Sequence, residues 1–172
     1  MSPKQRTFLT ALALALPLDV ASKEWVLNTV ERGVRLPVID GFFYISHVRN
    51  PGAAFSMLAS APDWFRTYFF PLMTIFALGL IVSMFRQLAP RDRLASFALG
   101  FVLGGASGNL LDRLRHGEVV DWLHVKLWSG YSWPDFNFAD SFIVVGVGLL
   151  LYEMFVSEGE GLESAGPPGS AA

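Results

Sequence analysis

Two runs of this chain carry no charge at all: the 19 residues from Thr67 to Phe85 and the 18 from Leu94 to Leu111. A helix needs roughly 20 apolar residues to cross ~30 Å of hydrocarbon, so each run reads as a membrane span. Between them lies Arg86-Gln87-Leu88-Ala89-Pro90-Arg91-Asp92-Arg93, a short loop with three arginines and a proline that ends the preceding helix. Short cytoplasmic loops carry an excess of basic residues, which places this one inside. Composition agrees, with 52% of residues hydrophobic and only 16% charged, where a soluble domain carries about a quarter charged. A formal charge of -2 argues against a nucleic-acid partner. The absence of cysteine excludes a disulfide scaffold, a thiol nucleophile and a thiolate metal site.

Two further apolar stretches are interrupted. Thr7 to Leu18 is charge-free for 12 residues before Asp19, and Ser141 to Tyr152 for 12 between Asp140 and Glu153. Lys4 and Arg6 mark the N-terminus as cytoplasmic, so an inner loop after the second span requires Thr7 to about Val26 to cross as well. The expectation is an all-α integral membrane protein with four transmembrane helices and both chain ends inside. Residues 1–156 form a single domain, with spans near 7–26, 67–85, 94–112 and 138–156. A cleaved leader is the competing reading of the first segment. Against it, Asp19 stands two residues before Ala21, at the other small position, and spoils the small-x-small pattern. Residues 157–172, rich in Gly, Glu, Pro and Ala, read as a disordered cytoplasmic tail. The two outer segments, near 28–66 and 114–136, differ. Val38 to Val48 is β-branched and aromatic and predicts a small sheet or hairpin. The second holds Trp122, Trp128, Tyr131 and Trp133, whose amphipathic rings suit a segment resting on the bilayer.

An aspartate at the centre of a span costs about 2.5 to 3.5 kcal/mol on insertion scales, so each one there asks for a reason. At ~1.5 Å per residue, Asp19 lies about 18 Å along the first span from Thr7, and Asn109 and Asp112 about 22 and 27 Å along the third from Leu94. Asn137 and Asp140 fall in the first turn of the last span, so three helices bring polar groups to the outer level. Within each, spacing favours shared faces: Asp19 and Lys23 are i,i+4, Asn109 is i+3 from Asp112 and i+4 from Arg113, and Asn137 is i+3 from Asp140. Gly104, Gly105 and Gly108 offer a surface on which a neighbouring helix comes close. Each polar set also has a structural reading: ion pairs that fix helix ends, or, for Asn137 and Asp140, a cap and a first-turn acid. His47, His116 and His124 show no ligand-like spacing, so no metal is expected.

The sequence holds no Ser-His pair, no HExxH and no phosphate loop, so carboxylates are the most reactive groups at this level. Two carboxylates in a low-dielectric site share a proton, one acting as base toward a water and one as acid toward a carbonyl oxygen. Peptide hydrolysis at the outer face follows as an expectation, with the pair drawn from Asp112, Asp121 and Asp140. A small transporter or channel subunit with an intramembrane Asp/Lys path is the alternative. It calls for polar residues through the full thickness rather than bunched at one end.

Four blocks of the chain resemble the lipoprotein signal peptidases, or signal peptidase II. They are Asp19-Val20-Ala21-Ser22-Lys23, Asn50-Pro51-Gly52-Ala53-Ala54-Phe55-Ser56, Gly104-Gly105-Ala106-Ser107-Gly108-Asn109-Leu110-Leu111-Asp112-Arg113, and Val119-Val120-Asp121-Trp122 with Phe136-Asn137-Phe138-Ala139-Asp140-Ser141. The resemblance reaches to about Val156. It implies a four-helix membrane aspartic peptidase with an outer β-cradle that removes signal peptides from diacylglyceryl-modified prolipoproteins, cutting just before the lipidated Cys. It assigns catalysis to Asp121 and Asp140, and a lining or supporting role to Asn50, Gly52, Asn109, Asp112, Arg113 and Asn137, with Asp19 and Lys23 matching the polar pair of the first helix. No metal or cofactor is implied. The expected setting is a monomer among the lipids of the bacterial cytoplasmic (inner) membrane, its site at the outer face. Val20, Pro51 and Trp122 depart from the residues usual in the family, and none of them is a carboxylate.

Overall fold

The elements follow the charge-free runs and the turn residues between them. A computed structural model describes residues 1–52, 58, 60–128 and 130–164. In chain order they form α1 (Pro3–Thr29), β1 (Arg35–Ile39), β2 (Phe43–Asn50), α2 (Asp63–Gln87), α3 (Arg93–His116), β3 (Val119–Trp128), β4 (Tyr131–Phe136) and α4 (Phe138–Ser164). Three helical stretches, Asp63–Gln87, Arg93–His116 and Phe138–Val156, are long and apolar enough to cross a membrane. α1 is as long as these but carries Asp19 and Lys23 in its second half, both buried. α4 runs on to Ser164, into the stretch expected to be a disordered tail, and 165–172 lie outside the described residues. Residues 53–56 of the block beginning at Asn50 also lie outside them.

Small residues set the helix spacing. α3 packs against both α1 and α4. A side chain on Gly104 would meet the Ala15 Cβ, one on Gly105 the carbonyl of Ala139, and one on Gly108 the carboxylate of Asp19. The glycine row expected to admit a neighbouring helix therefore admits two, and Gly108 seats a carboxylate. α2 is the peripheral helix. Tyr68, Leu72, Ile75, Phe76 and Leu80 are exposed on it, and near its C-terminus Phe85 packs at a tilt against Phe8 of α1 with 4.2 Å between ring centroids. α3 ends where Gly117 takes a left-handed conformation at φ 74°, which turns the chain directly into β3.

The four strands make one antiparallel sheet in the order β1-β2-β3-β4. β1, an exposed edge strand, carries Pro37, which blunts the edge. The hairpin expected around Val38 to Val48 is β1 and β2. Residues 114–136 differ from expectation, because they contribute β3 and β4 rather than only an amphipathic surface segment. Trp122 is a core residue, edge-on to Phe138 at 4.9 Å, in a cluster with Val26, Val30, Val120 and Leu123. This cluster fastens the sheet onto the end of α1. A second set draws one residue from every strand. The Ser46 hydroxyl donates to Asp135 at 2.6 Å, His124 lies 3.2 Å from the same carboxylate, and Arg35 pairs with it at 2.9 Å. The sheet is thereby tied across its width, and β3 is a fixed platform for Asp121.

Candidate active site

Five elements end at one place. Asp19 and Lys23 come from α1, Asn50 from the end of β2, Asn109 and Asp112 from α3, Asp121 from β3, and Asn137 and Asp140 from the start of α4. Asn137 organises the site because it does two jobs. Its side-chain oxygen accepts the Asp140 N–H at 3.0 Å, and its own N–H donates to the Asp140 carboxylate at 3.2 Å, a reciprocal cap that starts α4. That fixes the amide orientation and turns its Nδ2 toward Asp121, to which it donates at 2.8 Å. Asn50 donates to the other oxygen of Asp121 at 3.0 Å, and Asn109 donates to Asp140 at 2.9 Å. Asp121 and Asp140 are thus held by three amides. Among the described residues, neither appears in an ion pair.

A second pair of carboxylates lies just beneath. Lys23, 2% exposed, stands 2.8 Å from Asp19 and 3.0 Å from Asp112, and donates to the Asn109 oxygen at 2.8 Å. Backbone N–H groups complete the set: Ala139 donates to Asp19 at 2.8 Å and Val120 to Asp112 at 3.0 Å. Asn109 joins the two layers, since its oxygen faces Lys23 and its nitrogen faces Asp140. Helical spacing suggested Asp112 with Arg113 and Asn109, whereas the structure joins Asp112 to Lys23 of another helix. Arg113 turns the other way, donating to the Gly52 carbonyl at 3.0 Å and the Asn109 carbonyl at 3.4 Å. Gly52 in turn donates its N–H to the Asn50 side chain at 2.9 Å. Every residue singled out from the sequence therefore belongs to one connected network.

The two layers differ in what they can do. Burial first, and the nearby Asp140 charge second, push the Asp121 carboxyl from its ordinary 3.8 to about 7, while hydrogen bonds from Asn50 and Asn137 oppose the shift. Asp121 is 3% exposed and Asp140 is half-buried, so one carboxyl is shielded and the other meets the outside. A carboxyl that holds its proton near neutrality is suited to act as an acid, and a more accessible carboxyl is the one a water can reach. The described residues contain no group of three or more His, Cys, Asp or Glu placed to hold a metal ion.

The sequence comparisons agree on one family. The family model described as Signal peptidase (SPase) II matches residues 11–156. The lipoprotein signal peptidase of Geobacter sulfurreducens is 46% identical over 158 residues, spanning 92% of this chain and 97% of that protein. Its counterpart in Syntrophus aciditrophicus is 44% identical over 153 residues, with 89% and 94% covered. A bacterial membrane enzyme solved by the in meso method at 2.3 Å superposes with a TM-score of 0.79 at 28% identity, covering 96% of this chain and 94% of that one. A second, solved at 1.9 Å, gives a TM-score of 0.75 at 31% identity, with 86% and 92% covered.

Proposed function

The chain belongs to the signal peptidase II family, and we propose that it cleaves its substrate with Asp121 and Asp140 as a water-activating dyad at the outer face of the bacterial inner membrane. It is an aspartic-type protease that removes signal peptides from prolipoproteins. One observation carries the catalytic reading: of the carboxylates gathered at this end of the bundle, Asp121 and Asp140 alone among the described residues accept from asparagine amides without an ion-pair partner.

The steps follow from that arrangement. Asp121 holds the shared proton, and the carboxylate of Asp140 takes one from a water as its oxygen attacks the carbonyl carbon preceding the lipidated Cys. The Asp121 proton passes to the carbonyl oxygen as it gains charge. Collapse of the tetrahedral species breaks the C–N bond, the proton taken up by Asp140 goes to the leaving amine, and one hydroxyl proton of the diol returns to Asp121 as the new carboxyl group forms. The diacylglyceryl group keeps the scissile bond at the surface level, so positioning supplies much of the rate. Asn50, Asn109 and Asn137 orient the dyad, Arg113 and Gly52 close the loop beside it, and Asp19, Lys23 and Asp112 brace it from below.

The same reading makes α1 a fourth span and sets the Arg86 to Arg93 loop on the inner side. The polar ends of α1, α3 and α4 then share the outer level, with residues 1–156 as the working domain. The experiment is cleavage of a diacylglyceryl-modified prolipoprotein by the purified protein in detergent, with the unlipidated substrate alongside. Wild type is expected to cut only the lipidated form. Asp121→Asn and Asp140→Asn are each expected to abolish cutting while still inserting and purifying, and full cleavage by either overturns the assignment. Cysteine labelling that finds the Arg86 to Arg93 loop outside overturns the topology.

A further inference from the structure

α2 is the peripheral helix, and most of its aromatic and aliphatic residues are exposed. Phe70 and Ile81 are the two buried ones, and Phe70 is 8% exposed between the exposed Phe69 and Leu72. Its ring centroid lies 5.2 Å from the guanidinium carbon of Arg113 on α3, within the range of a cation–π contact. A row of rings along α2 holds it there, Phe65 stacked on Phe69 at 4.7 Å and Phe69 edge-on to Phe70 at 5.5 Å. Arg113 forms no ion pair among the described residues. Its direction is set by this ring and by the two carbonyls it donates to, Gly52 and Asn109. Beyond Gly52 the connection is direct, from the Gly52 N–H to the Asn50 oxygen and from the Asn50 amide to the Asp121 carboxylate.

We infer that Phe70 is a positioning residue for the dyad: its ring aims Arg113 at the Gly52 carbonyl, and this holds Asn50 on Asp121. The inference rests on the dyad reading above and extends it to a helix that supplies no group to the site. Loss of the ring frees the guanidinium, loosens the 50–52 turn, and weakens the Asn50 hydrogen bond to the Asp121 carboxylate.

The test uses the full chain in detergent with the lipidated prolipoprotein. Phe70→Leu keeps an apolar side chain and removes the ring. It is expected to lower kcat about five- to tenfold, the scale of a desolvated cation–π contact. Asn50 favours ionised Asp121, so the alkaline limb of the pH–rate profile is expected to move upward in Phe70→Leu. A smaller folded fraction scales the profile without moving that limb. Phe70→Tyr, which keeps the ring, is expected to recover most of the loss, and in an Arg113→Lys background Phe70→Leu is expected to add less than about twofold. Wild-type kcat in Phe70→Leu overturns the inference. So does an equal loss in the Leu and Tyr variants with an unmoved limb, which makes Phe70 a packing residue only. Undiminished cleavage by Asp121→Asn overturns the dyad reading instead, so the two failures are told apart.

Discussion

Two pairs of carboxylates share one hydrogen-bonded network, and they are compensated differently. Asp19 and Asp112 flank the ammonium of Lys23 at 2.8 and 3.0 Å and each accepts a backbone N–H. Asp121 and Asp140 are met by Asn50, Asn109 and Asn137, which offer hydrogen bonds without charge. A buried carboxylate facing a cation has its charge paired and serves the fold. One facing amides has its geometry fixed without a paired charge, and at Asp121 the carboxyl is pushed up to about 7. On the dyad reading proposed above, carboxylates close together at one end of the bundle are divided between structure and chemistry by the charge of their hydrogen-bond partners.

The largest effect expected from this contrast lies in the amide-held pair. Asp121→Asn and Asp140→Asn should each lower kcat by about a thousandfold, within the range for loss of a general acid or base. The same changes should not destabilise the protein. The folded chain holds the Asp121 proton more tightly than the unfolded chain, so its contribution favours the fold at low pH and is lost as pH rises from 3.8 through about 7. Asp121→Asn should therefore melt higher than wild type at pH 8, and a lower melting temperature there would break the contrast. Lys23→Met should act in the opposite sense. Two buried carboxylates lose their cation, at ~3–5 kcal/mol, which denaturation in detergent would register as a large drop in melting temperature. An unchanged melting temperature would show that Lys23 is not the brace described above. Asn109→Ala, at the junction, should do some of both, with a loss of activity of roughly 10- to 100-fold and a destabilisation of about 1–3 kcal/mol. Loss in only one of the two would separate the layers. The mildest effect is one of shape: wild-type rate should fall above about pH 7 as the shared proton leaves, and a profile flat to pH 9 would place the proton elsewhere.

The spans were the most legible part of the sequence, since the charge-free runs at 67–85 and 94–111 lie inside α2 and α3. The glycine face at 104, 105 and 108 and the cap formed by Asn137 and Asp140 were legible too, because both depend on spacing within one helix. β3 and β4 were not. The tryptophans of 114–136 read as an interface belt, although the β-branched start at Val119-Val120 and the positive-φ Gly130 between the strands were signals of a hairpin. Pairing between helices was hidden for a plain reason. Asp112 has Arg113 beside it in sequence, yet its cation is Lys23, 89 positions away. Phe70 was hidden as well, in a run of aromatic residues where nothing in the letters distinguishes the one that faces inward.

One bond described above bears on how the protein is made. The backbone N–H that completes the seat of Asp19 belongs to Ala139, 120 residues later in the chain. Asn137 and Asp140, beside it, are the last of the dyad's partners to leave the ribosome. A nascent chain that has delivered α1, the sheet and α3 to the bilayer therefore holds a buried ion pair with one donor missing and a lone Asp121 without its counterpart. The arrival of α4 finishes both at once, so on the dyad reading proposed above hydrolytic power switches on only when the scaffold around it is closed.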